Sequence, residues 1–233
     1  MAKNELKLLG GWFSPFALRV EIALNIKSLN YENIEETLNP KSDLLLQSNP
    51  VYKKIPVLIH GDKPISESGI IVQYIDEVWT NAPSILPTNA YDRANTRFWA
   101  SYIDDKLFPS LRNILAAEDE EAKKTNFIQV EEVLERMEEV FNKHSEGKAY
   151  FGGDKIGFID IAFGSTLRWL SVIENMSGKK VLVEAKTPSL VKWAETFAAD
   201  PAVKGVFPET DKLIEFAKVL QQRWASAAAA AAK

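Results

Sequence analysis

One stretch near the N-terminus limits most what this chain can become: Gly10-Gly11-Trp12-Phe13-Ser14-Pro15-Phe16-Ala17-Leu18-Arg19-Val20. The short apolar run Leu6-Lys7-Leu8-Leu9 before it reads as a strand, and two glycines end that strand. Ser14 is a preferred N-cap residue, and Pro15 falls at the first helical position, where its missing N–H costs nothing. From Leu18 on, Val20, Ile22, Ala23, Leu24 and Ile26 give a helix with a broad apolar face. A strand handing over to a helix in so few residues calls for an α/β unit. It also holds one hydroxyl at the positive end of a helix dipole, a place that favours an anion. If the anion is a thiolate, the same site promotes its ionisation. Ser14 acting only as a cap is the alternative that this stretch alone leaves open.

Strand and helix continue to alternate. Tyr31-Glu32-Asn33-Ile34-Glu35 reads as a strand, residues 41–47 as a short helix, and Ile55-Pro56-Val57-Leu58-Ile59 as a strand starting at a proline. Gly61-Asp62-Lys63 marks a hairpin turn, with Pro64-Ile65 as the return strand. Ser66-Glu67-Ser68 then opens a helix through Ile70, Ile71, Tyr74, Ile75 and Val78. The order β-α-β-α-β-β-α gives a compact α/β domain over residues 1–79. Residues 80–89 carry Pro83 and Pro87 among turn formers and read as a linker. Residues 90–233 read as an all-helical domain.

In that second part, one helix is expected from Tyr91 to about Ala117, kinked at Pro109. Glu118-Asp119-Glu120-Glu121 reads as a solvated corner. Residues 127–143 form an amphipathic helix, with Val130, Val133, Leu134, Met137 and Phe141 facing inward. Glu131, Glu132, Glu135, Glu138 and Glu139 face outward. Gly157 as N-cap, with Asp160 bonding back to it, opens a buried helix through Trp169 and Ile173. Thr187-Pro188 starts another helix by cap-then-proline logic, and Pro208 precedes the last. The terminal alanines are assigned no function.

Composition removes several kinds of chemistry. The chain has no cysteine and only two histidines, His60 and His144, so thiolate metal sites, disulfides, a cysteine nucleophile and a histidine-rich metal site are out. Net charge is −4 with no basic block, which argues against nucleic acid. No apolar run approaches the roughly 18 residues of a membrane span, and residues 1–5 have no apolar signal core. A cytosolic protein with no membrane partner is expected.

Several pieces taken together resemble a plant tau-class glutathione transferase, a cytosolic member of that superfamily. They are Trp12-Phe13-Ser14-Pro15-Phe16, Leu44-Leu45-Leu46-Gln47-Ser48-Asn49-Pro50, Lys53-Lys54-Ile55-Pro56-Val57-Leu58, Glu67-Ser68 and Gln73-Tyr74-Ile75-Asp76-Glu77. Further along come Arg97-Phe98-Trp99-Ala100, Asp104-Asp105-Lys106, Phe151-Gly152-Gly153-Asp154 and Ala185-Lys186-Thr187-Pro188. They run in order across nearly the whole chain. The resemblance implies a thioredoxin-like N-terminal domain with a cis bond before Pro56, followed by an all-helical domain. It implies glutathione as co-substrate, with no other cofactor and no metal. Lys41 and Lys54 would meet the glycyl carboxylate. Ile55 would pair with the cysteinyl backbone. Glu67 and Ser68 would hold the γ-glutamyl end. Ser14 would donate a hydrogen bond to the sulfur, and the thiolate would attack an electrophilic carbon or a hydroperoxide oxygen. A hydrophobic electrophile would lie against Phe16, Phe108, Arg112, Trp169 and Phe207.

The resemblance also implies a homodimer, with Glu77 and Arg93 as candidate contacts. With no cysteine at position 14, mixed-disulfide chemistry with glutathione is not expected. Tyr52, Ser66, Gly69 and Phe13 depart from the tau pattern. Gly69 is expected to loosen the glutathione site and Phe13 to narrow its entrance. A low-activity carrier of amphipathic metabolites is the alternative function.

Overall fold

The computed structural model describes residues 5–37 and 39–231. Its first part is a four-stranded sheet with three helices. The strands are β1 (Leu6–Gly10), β2 (Glu32–Glu35), β3 (Val57–His60) and β4 (Lys63–Ser66), in the order β2-β1-β3-β4. β1 pairs parallel with β2 and antiparallel with β3, with Leu8 opposite Leu58, and β3 pairs antiparallel with β4. Helices α1 (Pro15–Ile26), α2 (Asp43–Ser48) and α3 (Ser68–Val78) connect and cover the strands. The expected α/β order is met, and the Ile55–Pro56 bond is cis, as is Asn39–Pro40. The short helix starts two residues later than expected because Ser42, whose hydroxyl accepts from Leu45 N at 3.0 Å, is its cap.

The second part is helical, and several of its helices differ from expectation for identifiable reasons. The long helix expected to kink at Pro109 is instead α4 (Ala90–Tyr102), a π-helical stretch over Ile103–Leu107, and α5 (Phe108–Ala116). Pro109 cannot donate the backbone bond an unbroken helix needs, and the wider π turn absorbs that loss just before it. The acidic run is exposed, as expected, and its last two residues are helical. Asp119 caps α6 (Glu120–His144) by accepting from Ala122 N at 2.7 Å, and Glu120 and Glu121 occupy its first turn, where the dipole favours negative charge. The buried helix expected through Ile173 breaks into α7 (Phe158–Gly164) and α8 (Leu167–Ser177). At the break, the hydroxyls of Ser165 and Thr166 donate to the Ala162 and Phe163 carbonyls.

Glu138 does not face water as its heptad position suggests. It is buried, and its carboxylate accepts from Ser189 N at 2.9 Å and Leu190 N at 2.8 Å. It therefore caps α9 (Pro188–Ala199) from across the helix pair. Thr187, the expected cap, bonds its hydroxyl back to the Val183 carbonyl instead. A short α10 (Pro201–Lys204) and the long α11 (Thr210–Ala231) finish the chain.

The core runs through both parts without a break, from Leu8, Val20 and Ile71 to Ile103, Leu107, Val133, Phe163 and Trp193. Polar groups lock the join. Arg19 on α1, almost wholly buried, bonds Asp104 through both terminal nitrogens at 3.0 and 2.6 Å. It also donates to Ser165 Oγ and the Ala162 carbonyl. Asp76 on α3 accepts from Ile85 N and Leu86 N at 2.9 and 3.0 Å and pairs with buried Lys27 at 2.7 Å. The stretch read as a turn-rich linker is thus stapled down, with Ile85 and Leu86 buried.

Candidate active site

The β1–α1 corner is built as its sequence demands. Ser14 is extended at φ −87° and ψ 116°, its hydroxyl accepts from Ala17 N at 3.2 Å, and Pro15 follows at the start of α1. The corner has no spare volume. A Cβ on Gly11 would stand 2.9 Å from the Phe13 ring and 3.1 Å from Ile55 Cδ1, so a larger residue there would push on both side chains. No acidic residue occupies the first turn of α1, which leaves the positive end of the dipole uncompensated. Ser14 is 8% exposed. Because its oxygen accepts from Ala17, its O–H hydrogen is free to donate outward.

Ser14 opens onto a cavity of about 430 Å³ between the two parts of the molecule. The α/β part contributes Ser14, Phe16, Thr37, Lys41, Lys53, Lys54 and Ile55, which bring hydroxyls and lysines. The helical part contributes Phe108, Leu111, Leu115, Trp169 and the α11 residues Phe216, Leu220 and Trp224. Arg112 stands among these apolar walls, its guanidinium 5.5 Å above the Trp224 ring. One side therefore suits a charged, hydrogen-bonding ligand and the other an apolar ring system.

The lysines are held by their own loop. Lys41 Nζ donates to the Lys53 carbonyl at 2.7 Å. Buried Asn49 fixes that loop, donating to the Lys54 carbonyl at 2.9 Å and accepting from Tyr52 N at 3.2 Å. Lys53 adopts a positive φ of 54°.

Of the residues singled out from sequence, Ser14, Lys41, Lys54, Ile55, Phe16, Phe108, Arg112 and Trp169 line this cavity together. Glu67 and Ser68 do not. They line an adjoining cavity of about 370 Å³ with Arg19, Gln73, Arg97 and Asp104, and Phe16 borders both. Glu67 is exposed and strained at φ 73°, and Ser68, beginning α3, is buried. Phe207 lies elsewhere. The turn after α10 turns it onto the Arg168 guanidinium at 4.4 Å and the edge of Phe197 at 6.2 Å. Sequence reading missed Phe216, Leu220 and Trp224 as cavity walls. Their i, i+4, i+8 spacing puts them on one face of a helix, but spacing does not say what that face meets.

Of the departures, Gly69 has open space, since an added Cβ would meet only Phe158 at 3.8 Å. Phe13 stacks on Phe216 with centroids 4.4 Å apart. Among the described residues no group of acidic, histidine or cysteine side chains could hold a metal ion, and no helix is long and apolar enough to cross a membrane.

Residues 4–77 match the model for the glutathione S-transferase N-terminal domain, and residues 95–201 that for the C-terminal domain. The chain belongs to the glutathione S-transferase family, in its tau class. Glutathione S-transferase U17 of Arabidopsis thaliana is 58% identical to it, over 94% of this chain and 96% of the relative. The tau class glutathione S-transferase MiGSTU from mango, Mangifera indica, is 62% identical with a TM-score of 0.90, over 94% of this chain and 100% of that one. Rice GST1, solved in complex with glutathione, is 35% identical with a TM-score of 0.87, over 96% and 99%. A tau-class transferase with this geometry thus sets a serine hydroxyl, a helix N-terminus and a lysine-bearing loop against an apolar wall.

Proposed function

We infer that this transferase conjugates the glutathione thiolate to hydrophobic electrophiles, with Ser14 as the hydrogen-bond donor to the sulfur. The observation that carries the role of Ser14 is its bonding state. The oxygen is already an acceptor for Ala17 N, so its one hydrogen is left to donate to a ligand, beside an uncompensated N-terminus. A donor and a positive partial charge aimed at one sulfur stabilise the thiolate over the thiol and move its pKa down from about 8.5. The thiol proton passes to solvent, the thiolate attacks, and the leaving group departs with the electron pair.

Lys41 and Lys54 suit a carboxylate of the tripeptide, and Ile55, next to the cis peptide, suits its backbone. Glu67 and Ser68 suit the amino-acid end, which would extend from the main cavity past Phe16 into the adjoining one. The electrophile would rest on Phe108, Trp169, Phe216 and Trp224. Residues 1–79 and 90–233 would then be the glutathione-binding and electrophile-binding domains. Hydroperoxide reduction is open to the same thiolate. A homodimer fits the apolar side chains left exposed on α3 and α4, Ile70, Tyr91 and Phe98. These carry that reading better than Arg93, which donates to the Pro87 and Thr88 carbonyls of its own chain. Light scattering giving the mass of one chain would refute the dimer. A cytosolic location goes with this function.

The test is conjugation to a chlorodinitrobenzene-type electrophile, wild type beside Ser14→Ala. Loss of the donor that favours the thiolate should lower the rate at near-neutral pH by about 100-fold, with glutathione binding retained. An unchanged rate removes Ser14 from the mechanism. The carrier alternative has no observation in its favour.

A further inference from the structure

Trp169 stands in the wall of the cavity, but its polar contact sets it apart from the other rings there. The indole Nε1–H donates to the Phe13 carbonyl at 3.0 Å, across the boundary between the two parts of the chain. Indole has one donor and no acceptor, so this is the side chain's one directional bond. That carbonyl belongs to the peptide unit joining Phe13 to Ser14. The other end of the same unit, Ser14 N–H, donates to the Gly11 carbonyl at 2.8 Å.

A peptide unit is planar, and bonds at both its oxygen and its nitrogen fix the orientation of that plane. The plane in turn sets the direction in which the Ser14 side chain leaves the backbone. The Phe13 ring is restrained as well, stacked on Phe216 of α11, whose ring centroid lies 6.4 Å from that of Trp169. We propose that Trp169 is a positioning residue: its indole N–H, delivered from the helical part, holds the Phe13–Ser14 peptide so that the Ser14 hydroxyl points at the glutathione sulfur. This rests on Ser14 acting as the donor to sulfur. It differs from the role expected of a wall ring, which is to fill space beside the electrophile.

Trp169→Phe separates the two roles, because it keeps an aromatic ring and removes the N–H. The readout is the ultraviolet absorbance of enzyme-bound glutathione thiolate against pH, together with kcat and KM. With Trp169 as a positioning residue, the bound thiol of the variant titrates at higher pH, and kcat near neutral pH falls about tenfold, recovering as the pH rises. KM for the electrophile stays within about twofold. A wild-type titration curve with a raised electrophile KM overturns the proposal and leaves Trp169 as a wall. Ser14→Ala, run alongside, keeps the two readings apart. If Ser14→Ala titrates like wild type, the Ser14 reading itself fails and takes this one with it. If Ser14→Ala is impaired and Trp169→Phe is not, only this proposal fails. The double variant guards against general damage. A residue acting through Ser14 adds no further loss to Ser14→Ala, whereas losses that multiply overturn the proposal.

Discussion

Two loops in this molecule each lead into a helix N-terminus and treat it in opposite ways. At α7, the chain closes the site on itself. Asp160, fully buried, accepts from Phe151 N, Gly152 N and Gly157 N, each at 2.9 Å, and from Trp193 Nε1 at 2.8 Å. Burial raises its carboxyl to about 6 even against the downward pull of these four donors. A Cβ on Gly152 would lie 2.7 Å from the Lys155 carbonyl, so backbone packs directly on backbone there. At α1, the chain supplies only the Ser14 hydroxyl, and the cavity begins where the donors end. A helix N-terminus supplied with a buried carboxylate is structure. One left with a lone hydroxyl is available to a ligand's anion.

That contrast can be broken most severely at Asp160. Asp160→Ala leaves four donors without their acceptor, three of them buried, and should cost about 4 kcal/mol, read from urea unfolding or as failure to accumulate folded protein. The contrast predicts that Ser14→Ala costs only about 1 kcal/mol by the same measurement. Equal losses at the two sites would show that the α1 corner is as structural as the α7 loop.

Glu138 tests whether a cap supplied from another helix behaves like the α7 arrangement. Glu138→Ala leaves Ser189 N and Leu190 N without their acceptor and should destabilise by about 3 kcal/mol. A loss under about 0.5 kcal/mol, the range of ordinary surface changes, would place it with the solvated glutamates of α6.

A third prediction concerns the outer side of the α1 loop. Glu35 accepts from Trp12 N at 3.1 Å, and Glu21 on α1 sits near it, bonded by Asn33 at 3.4 Å. Burial, with Glu35 adding repulsion, raises the Glu21 carboxyl to about 7. A raised folded-state value means the native protein holds a proton that the unfolded chain has released. Stability from this group is therefore present below about 4.5 and is lost as the pH climbs through 7. Glu21→Gln should leave stability unchanged at pH ~4 and raise it by about 2 kcal/mol at pH ~8. The urea midpoints at the two pH values check this, and a gain of equal size at both would put the cause outside ionisation.

The smallest effect is expected at Gly69. Its neighbourhood has room for a Cβ, and it lies in the first turn of α3. Gly69→Ala should therefore stabilise by about 0.5 kcal/mol through helix propensity. If glutathione binding tightens as well, the glycine does loosen the site.

Much of this protein was legible as local pattern. The cap-and-proline at Ser14-Pro15, the hairpin at Gly61, the alternation of strands and helices and the bond from Asp160 to its own cap each depend on residues within a few positions of one another. Short-range sterics and hydrogen bonding decide such features, and the sequence carries both partners side by side. The co-occurrence of Trp12-Phe13-Ser14-Pro15-Phe16 with Lys53-Lys54-Ile55-Pro56 and Glu67-Ser68 was enough to name the family. What the local pattern could not carry was every feature whose second partner lies far along the chain. Glu138 looked solvated because the N-terminus it caps is about 50 residues away. Phe207 looked like a wall until the turn after α10 laid it against Arg168. Phe216, Leu220 and Trp224 became walls only when α11 folded back across the cavity. The sequence by itself determined the order of strands and helices in the α/β part and which residue begins α1. Tertiary structure alone decided what stands opposite Ser14, because the partner of a helix face is set by how the helices pack and not by the helix that bears the face.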